Sequence, residues 1–126
     1  MLVLDAGAVT RLAERSKRAA ELIRVLRQQS LWPPAVPSVV LVESLTGRPD
    51  RDTRTNRFLK TCEVMTDLSE PTARRAAALR HQAGRGSAVD AVVVATAEPG
   101  GAILTGDVGD LHALAQYCDD VTIERA

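Results

Sequence analysis

Short apolar runs of strand length alternate along this chain with stretches of helical periodicity, and that alternation most restricts how it can fold. Leu2–Leu4 is such a run, ending at Asp5 and Gly7; a charged segment follows with Ala19, Leu22, Ile23 and Leu26 at helical spacing, giving strand, turn, helix. The prolines around Leu31–Val36 break any helix, and Pro37 with Ser38 starts one through Val39, Val42 and Leu45 that Gly47, Arg48 and Pro49 stop. Asp50 or Asp52 can cap a further helix carrying Phe58 and Leu59, ahead of a short strand at Cys62–Thr66. Ser69, Glu70 and Pro71 open a helix to Gln82, ended by Gly84 and Gly86. Ser87 caps a nearly all-apolar helix, Ala88–Ala97, closed by Pro99, Gly100 and Gly101 before a buried strand at Ala102–Leu104. Asp107 opens a last helix through Leu111 and Leu114, and Val121–Ile123 is the final strand. Strands joined through helices predict an α/β fold, with a mostly parallel central sheet flanked by helices on both faces. At 126 residues the chain is expected to form one domain, 1–126, large enough to bury a core without staples.

Composition narrows the function classes. Only Trp32, Phe58 and Tyr117 are aromatic, so the core is built from Ala, Val and Leu, and base-stacking platforms are not expected. The net charge is zero, which removes a global positive field. Its distribution is uneven, however: residues 1–60 hold 11 Lys or Arg against 6 Asp or Glu, and residues 61–126 hold 5 against 10. The basic half can meet a phosphate backbone locally, or Arg11, Arg15, Arg18 and Arg54 can simply solvate helix faces. Cys62 and Cys118 have no zinc-ligand spacing and fit a pair of free thiols. No basic leader followed by a long apolar stretch, and no run of about 18 apolar residues, occurs, so a cytoplasmic location off the membrane is expected.

Four carboxylates stand out. In a parallel sheet, ligand sites gather beyond the carboxyl ends of the strands, where Asp5 and Asp107 lie. An Asp before a helix also makes a cap worth about 1 kcal/mol, so each has a structural role available. Glu43 and Asp90 interrupt the apolar segments VVLVESL and AVDAVVVA. A buried ionised carboxylate needs a partner, solvent or a cation. Asp90 can use the first-turn amides of its helix, and Glu43 a solvent stripe. Four carboxylates converging at one sheet edge make a hard-oxygen site for Mg²⁺ or Mn²⁺ rather than zinc, suited to phosphodiester hydrolysis. His81 and His112, isolated among charged helical residues, are expected to have a surface or packing role rather than to ligate metal or act as a general base.

LDAG at the amino terminus, a Glu-bearing helix after the second strand, SAVDAVVVATA, and LTGDVGDL near the end resemble the PIN domain, above all its VapC-like toxin branch. The resemblance runs in order along essentially the whole chain. It implies a metal-dependent endoribonuclease using Mg²⁺ or Mn²⁺, with Asp5, Glu43, Asp90 and Asp107 as the catalytic and metal-binding quartet. Asp110 matches a further acidic position that holds a second ion or a water, or serves as first-turn charge. Thr105 matches a hydroxyl that orients water or substrate, or makes an ordinary strand-end hydrogen bond. Asp5, Asp90 and Asp107 would hold the ion directly or through water, Glu43 would complete the shell or take a proton, and in-line attack would leave a 5′-phosphate and a 3′-hydroxyl. Arg85, between two glycines before the Asp90 helix, can touch RNA phosphate or remain solvated. The implied partners are an RNA substrate, a cognate VapB-like antitoxin that wraps the groove and inserts a basic side chain among the acids, and a second copy in a homodimer. Two other readings stand beside this one: a PIN-like module that binds RNA or protein without cutting, and a receiver or phosphatase. The receiver is disfavoured because Lys17 and Lys60 are the only lysines and neither follows a late strand.

Overall fold

A computed structural model describes all residues 1–126. Five strands, β1 (Leu2–Leu4), β2 (Ala35–Pro37), β3 (Glu63–Met65), β4 (Ala102–Thr105) and β5 (Thr122–Arg125), form one sheet in the order β3-β2-β1-β4-β5. Every pairing is parallel, so the expected α/β class holds and the sheet is wholly rather than mostly parallel. The helices are α1 (Ala6–Ala13), α2 (Lys17–Gln28), α3 (Leu41–Ser44), α4 (Thr53–Leu59), α5 (Glu70–Ala83), α6 (Ala88–Ala97) and α7 (Val108–Ala115). Helix α1 packs with α2, α3 and α4, while α5, α6 and α7 pack with one another. Val3, Leu4, Val36, Val93, Val94, Ile103 and Leu104 are fully enclosed between these layers, as the unbroken apolar runs of a parallel sheet require.

The strand order positions the site. From β1 the chain moves outward to β2 and β3, then returns to β4 on the other side of β1. Connections leaving β1 and β4 therefore diverge, and a crevice opens between their carboxyl ends.

Several local expectations are corrected. The single helix after Gly7 is two helices: α1 begins directly after Asp5, and the chain breaks at Arg15, whose φ is 60°, before Ser16 caps α2 through the Ala19 N–H at 3.0 Å. Strand β2 lies inside the proline-punctuated stretch that the residue pattern marks as a helix break and that the family resemblance places as the second strand; Pro37 is its last residue. The helix through Leu45 is a 3-10 turn, Ser38–Val40, followed by the four residues of α3, and Leu45 is already extended. Asp52 precedes α4 without capping it. Its buried carboxylate instead accepts from the Thr46 N–H at 2.9 Å, the Thr46 hydroxyl at 2.8 Å and the Gly47 N–H at 3.0 Å, and these bonds, led by the Thr46 amide, hold its pKa below the ordinary value. The Ser69 and Ser87 caps form as expected, and Gly84 closes α5 in the left-handed region at φ 67°.

At the sheet end opposite the crevice, Arg75 of α5 donates two hydrogen bonds to Glu98, at 2.8 and 3.0 Å, and one to the Tyr117 carbonyl at 2.9 Å, while Glu98 also accepts from the Asp119 N–H at 3.0 Å. This network ties the body of α5 to the chain just after α6 and α7. The Arg75 guanidinium, opposed by partial burial, holds the Glu98 carboxyl down to about 2. A depressed carboxyl stabilises the fold above its ordinary value of 4.5 and loses that contribution as pH falls from there toward 2. Glu98→Gln is expected to cost about 2 kcal/mol at neutral pH in urea unfolding, the typical worth of a charge-assisted hydrogen bond, with the gap to the native protein shrinking as pH drops through that window. A gap independent of pH would remove the ionised pair from the account. Burial pushes the Cys118 thiol up to about 12 and the Cys62 thiol up to about 11, so both free thiols stay protonated and unreactive at neutral pH.

Candidate metal centre

The residue that closes β1 sets the back wall of the crevice. Asp5 caps α1: its Oδ1 accepts from the Ala8 N–H at 2.8 Å and from the Gly106 N–H at 3.4 Å, and its Oδ2 accepts from the Thr105 hydroxyl. Burial raises its pKa; the Thr105, Ala8 and Gly106 hydrogen bonds oppose this, and the negative charge of Asp90 adds to it. Thr105, the last residue of β4 and fully buried, also accepts from the Asp107 N–H at 2.9 Å and lies 2.8 Å from the Asp107 carbonyl. One hydroxyl therefore fixes the Asp5 carboxylate relative to the backbone of Asp107.

The other acids arrive from separate elements. Asp90 sits in the first turn of α6, where its Oδ2 accepts from the Ser87 N–H at 3.2 Å and its own N–H donates to Ser87 Oγ at 3.0 Å. Asp107 caps α7 through the Gly109 N–H at 3.1 Å. Glu43 projects from the exposed α3. All four line one open cleft of about 530 Å³, so the structure brings the sequence-derived quartet to a common space. The structural roles foreseen for Asp5, Asp90 and Asp107 hold as well: Asp5 and Asp107 cap α1 and α7, Asp90 completes the capping box of α6 from its first turn, and each keeps acceptor capacity for a ligand.

None of the four carboxylates forms an ion pair. Asp110, by contrast, lies outside the cleft lining and accepts from Arg85 Nε at 2.7 Å. His81 and His112 are exposed and take no part in the cleft. What the sequence reading missed is the polar stripe of α1: Thr10, Arg11 and Glu14 also line the cleft, and with Gly7 they fall at i, i+3, i+4 and i+7. That signal was present but lay hidden while Gly7 was read as a turn.

The approach of the two walls depends on glycine. A Cβ on Gly7 would stand 2.9 Å from Gly106 Cα and 3.0 Å from its nitrogen, a distance that backbone atoms cannot yield without moving. Only two glycines let the start of α1 touch the turn after β4 and bring Asp5 beside Thr105.

Whether a divalent ion fits follows from the donor set. The available ligands are carboxylate oxygens, with no His or Cys among them, which suits a hard cation. No three acidic, His or Cys side chains converge closely enough to share one ion directly. Mg²⁺ keeps several waters and is usually held through one or two carboxylates, so a cluster this open accommodates it, with the more distant acids reached through water. The negative charge of the cleft, which Arg11 alone in its lining opposes and which includes a half-buried Asp5 that burial makes costly to ionise, would be reduced by a cation at this position.

No protein-family model and no curated protein matches the chain. Solved structures do. A chain of VapBC2 from Rickettsia felis, bound to a DNA fragment from its promoter, superposes with a TM-score of 0.70 at 13% identity, covering 99% of this chain and 98% of that one. PAE2754 from Pyrobaculum aerophilum superposes with a TM-score of 0.63 at 17% identity, covering 97% and 89%. Similarity over whole chains at such low identity establishes a shared fold.

Proposed function

From a chain that has the VapC-like PIN fold, we propose a divalent-metal-dependent endoribonuclease, the toxin of a VapBC-type pair. The observation that carries the reading is the convergence of Asp5, Glu43, Asp90 and Asp107, all without ion-pair partners, on one cleft at the β1/β4 switch point. Asp5, Asp90 and Asp107 would hold Mg²⁺ or Mn²⁺, in part through water. Once bound, the ion stabilises charge on the phosphoryl group and makes a nearby water more acidic. Glu43, on the exposed rim, accepts the proton of the attacking water, and Thr105 keeps the Asp5 carboxylate in register with Asp107. Attack in line then releases the 3′-oxygen. End-group analysis of RNA products is expected to give 5′-phosphates and 3′-hydroxyls; 2′,3′-cyclic phosphates would require attack by the RNA's own 2′-hydroxyl and would overturn this mechanism.

The partner reading draws on a second surface. Leu12, Ile23 and Phe58 floor an apolar trough of about 380 Å³ between α1, α2 and α4, rimmed by Arg15, Arg27, Arg54 and Arg57. Trp32 meets Phe58 edge to face at 6.1 Å, and the Arg27 guanidinium lies 5.3 Å over the Trp32 ring. An amphipathic segment with acidic flanks suits such a trough, and in this reading the antitoxin supplies it. Reversing Arg54 and Arg57 to Glu is expected to weaken antitoxin binding at least about tenfold in calorimetry, since losing two cation contacts removes well over 1 kcal/mol. Unchanged affinity would put the antitoxin elsewhere.

A further inference from the structure

Asp110 matches an acidic position that the family resemblance associates with a second ion, yet its surroundings point to another use. The loop between α5 and α6 is clamped onto α7: Gly86, at φ 96°, lies so close to Leu114 that a Cβ would stand 2.8 Å from Leu114 Cδ1. From this anchored loop Arg85 reaches Asp110 in the first turn of α7 and donates through Nε at 2.7 Å. Its Nη2 lies 3.7 Å from where a Gly109 Cβ would be, and the same point lies 3.5 Å from Asp107 Oδ1. The bare backbone at Gly109 thus leaves the guanidinium and Asp107 Oδ1 on either side of one open point, too far apart for an ion pair, with Arg85 lining the hollow next to the acidic cleft together with Arg80 and His81.

The pair is largely exposed, with 59% of the Arg85 side chain and 44% of the Asp110 side chain accessible, and surface pairs of this kind contribute little to stability. Orientation is the larger effect. Nε is spent on Asp110, while the terminal nitrogens keep donors in the planar fork that matches a phosphate. Resting on the nuclease reading above, we infer that Asp110 is a positioning residue that holds Arg85 just outside the acidic cleft as a cation for an RNA phosphate next to the scissile one, and that Asp110 does not ligate metal.

Two titrations on the whole protein test this. In calorimetry with Mn²⁺ alone, Asp110→Asn is expected to stay within about twofold of the native affinity, whereas Asp90→Asn weakens it more than tenfold. In fluorescence anisotropy with a labelled single-stranded RNA in EDTA, Arg85→Ala weakens binding about tenfold and lowers the slope of log affinity against log salt by about one, the signature of one lost phosphate contact. Asp110→Asn weakens RNA binding several-fold, Asp110→Glu restores most of it, and Asp110→Asn adds nothing on top of Arg85→Ala, a coupling that general destabilisation would not produce. A tenfold loss of Mn²⁺ affinity in Asp110→Asn, or an unchanged RNA affinity and salt slope in Arg85→Ala, overturns the inference while leaving the nuclease standing. Native protein that neither binds nor cuts RNA removes both.

Discussion

Asp5→Asn is expected to reduce metal-dependent RNA cleavage by about 10³-fold, the scale of losing a central electrostatic group, while leaving the fold as stable as before or more so. The two effects separate because the carboxylate has two functions. As a cap, Asn replaces Asp without loss, since its amide oxygen can keep the Ala8 and Gly106 N–H bonds. Its Nδ2 then faces Thr105, whose oxygen can accept that donor together with the Asp107 N–H and turn its proton to the Asp107 carbonyl 2.8 Å away. As a charge, however, Asp5 is held above its ordinary value of 3.8 chiefly by burial. A carboxyl raised in the folded state favours folding when protonated, so metal-free stability falls as pH rises from about that value through the raised one. The substitution removes this decline. Thermal unfolding across pH 3–7 without metal checks it: the native curve should slope downward relative to the variant, and divalent metal should restore the native protein alone. A variant markedly less stable at every pH would show that the charge stabilises the fold rather than serving the ligand.

Gly7→Ala is the second change with a large expected effect, because it acts on geometry without touching a charge. In an ordinary helix, alanine at this position would gain about 1 kcal/mol over glycine. Here the added Cβ meets Gly106 backbone at 2.9 Å, and neither the first turn of α1 nor the turn after β4 has a flexible side chain to move. Overpacking of this kind typically costs about 1–3 kcal/mol, which outweighs the propensity gain. The displacement falls between Asp5 and Asp107, and misplacing a catalytic group by about 1 Å can cost about 10²-fold in rate. The expected outcome is therefore a modest fall in melting temperature with a fall of about two orders of magnitude in kcat/KM. Full activity would mean that the contact between the walls is not what sets the site.

How much of this was legible beforehand depends on whether a signal is local. Ser87, Asp90 and the apolar helix behind them announce a capped helix, and the structure contains it with the predicted bounds, Ala88–Ala97. The acids at strand ends were equally readable, because a strand that stops at an Asp already places that side chain at the sheet edge. Asp52 was not: the pattern that marks a cap is identical to that of a loop acid binding Thr46 and Gly47. Strand β2 was obscured in the residue pattern by its prolines, so that only the family resemblance placed it, and the break at Arg15 was obscured by a left-handed backbone that Arg seldom adopts. The convergence of Glu43 with the other three acids was expected from the sheet-edge argument, whereas the contact of Gly7 with Gly106 is a tertiary fact set by strand order. The pairing of Asp110 with Arg85 belongs there too, for 25 residues separate them.

Cleavage of a mixed RNA pool by the purified protein, freed of any partner, with Mg²⁺, Mn²⁺ or EDTA and beside folded Asp5→Asn and Asp90→Asn variants, tests the central claim most directly. The four-carboxylate site predicts cutting with either metal, none in EDTA, and cutting lowered by about 10³-fold in either variant. Cutting that persists in EDTA or stays near the native rate in both variants, or well-folded native protein that cuts nothing with either metal, would contradict it.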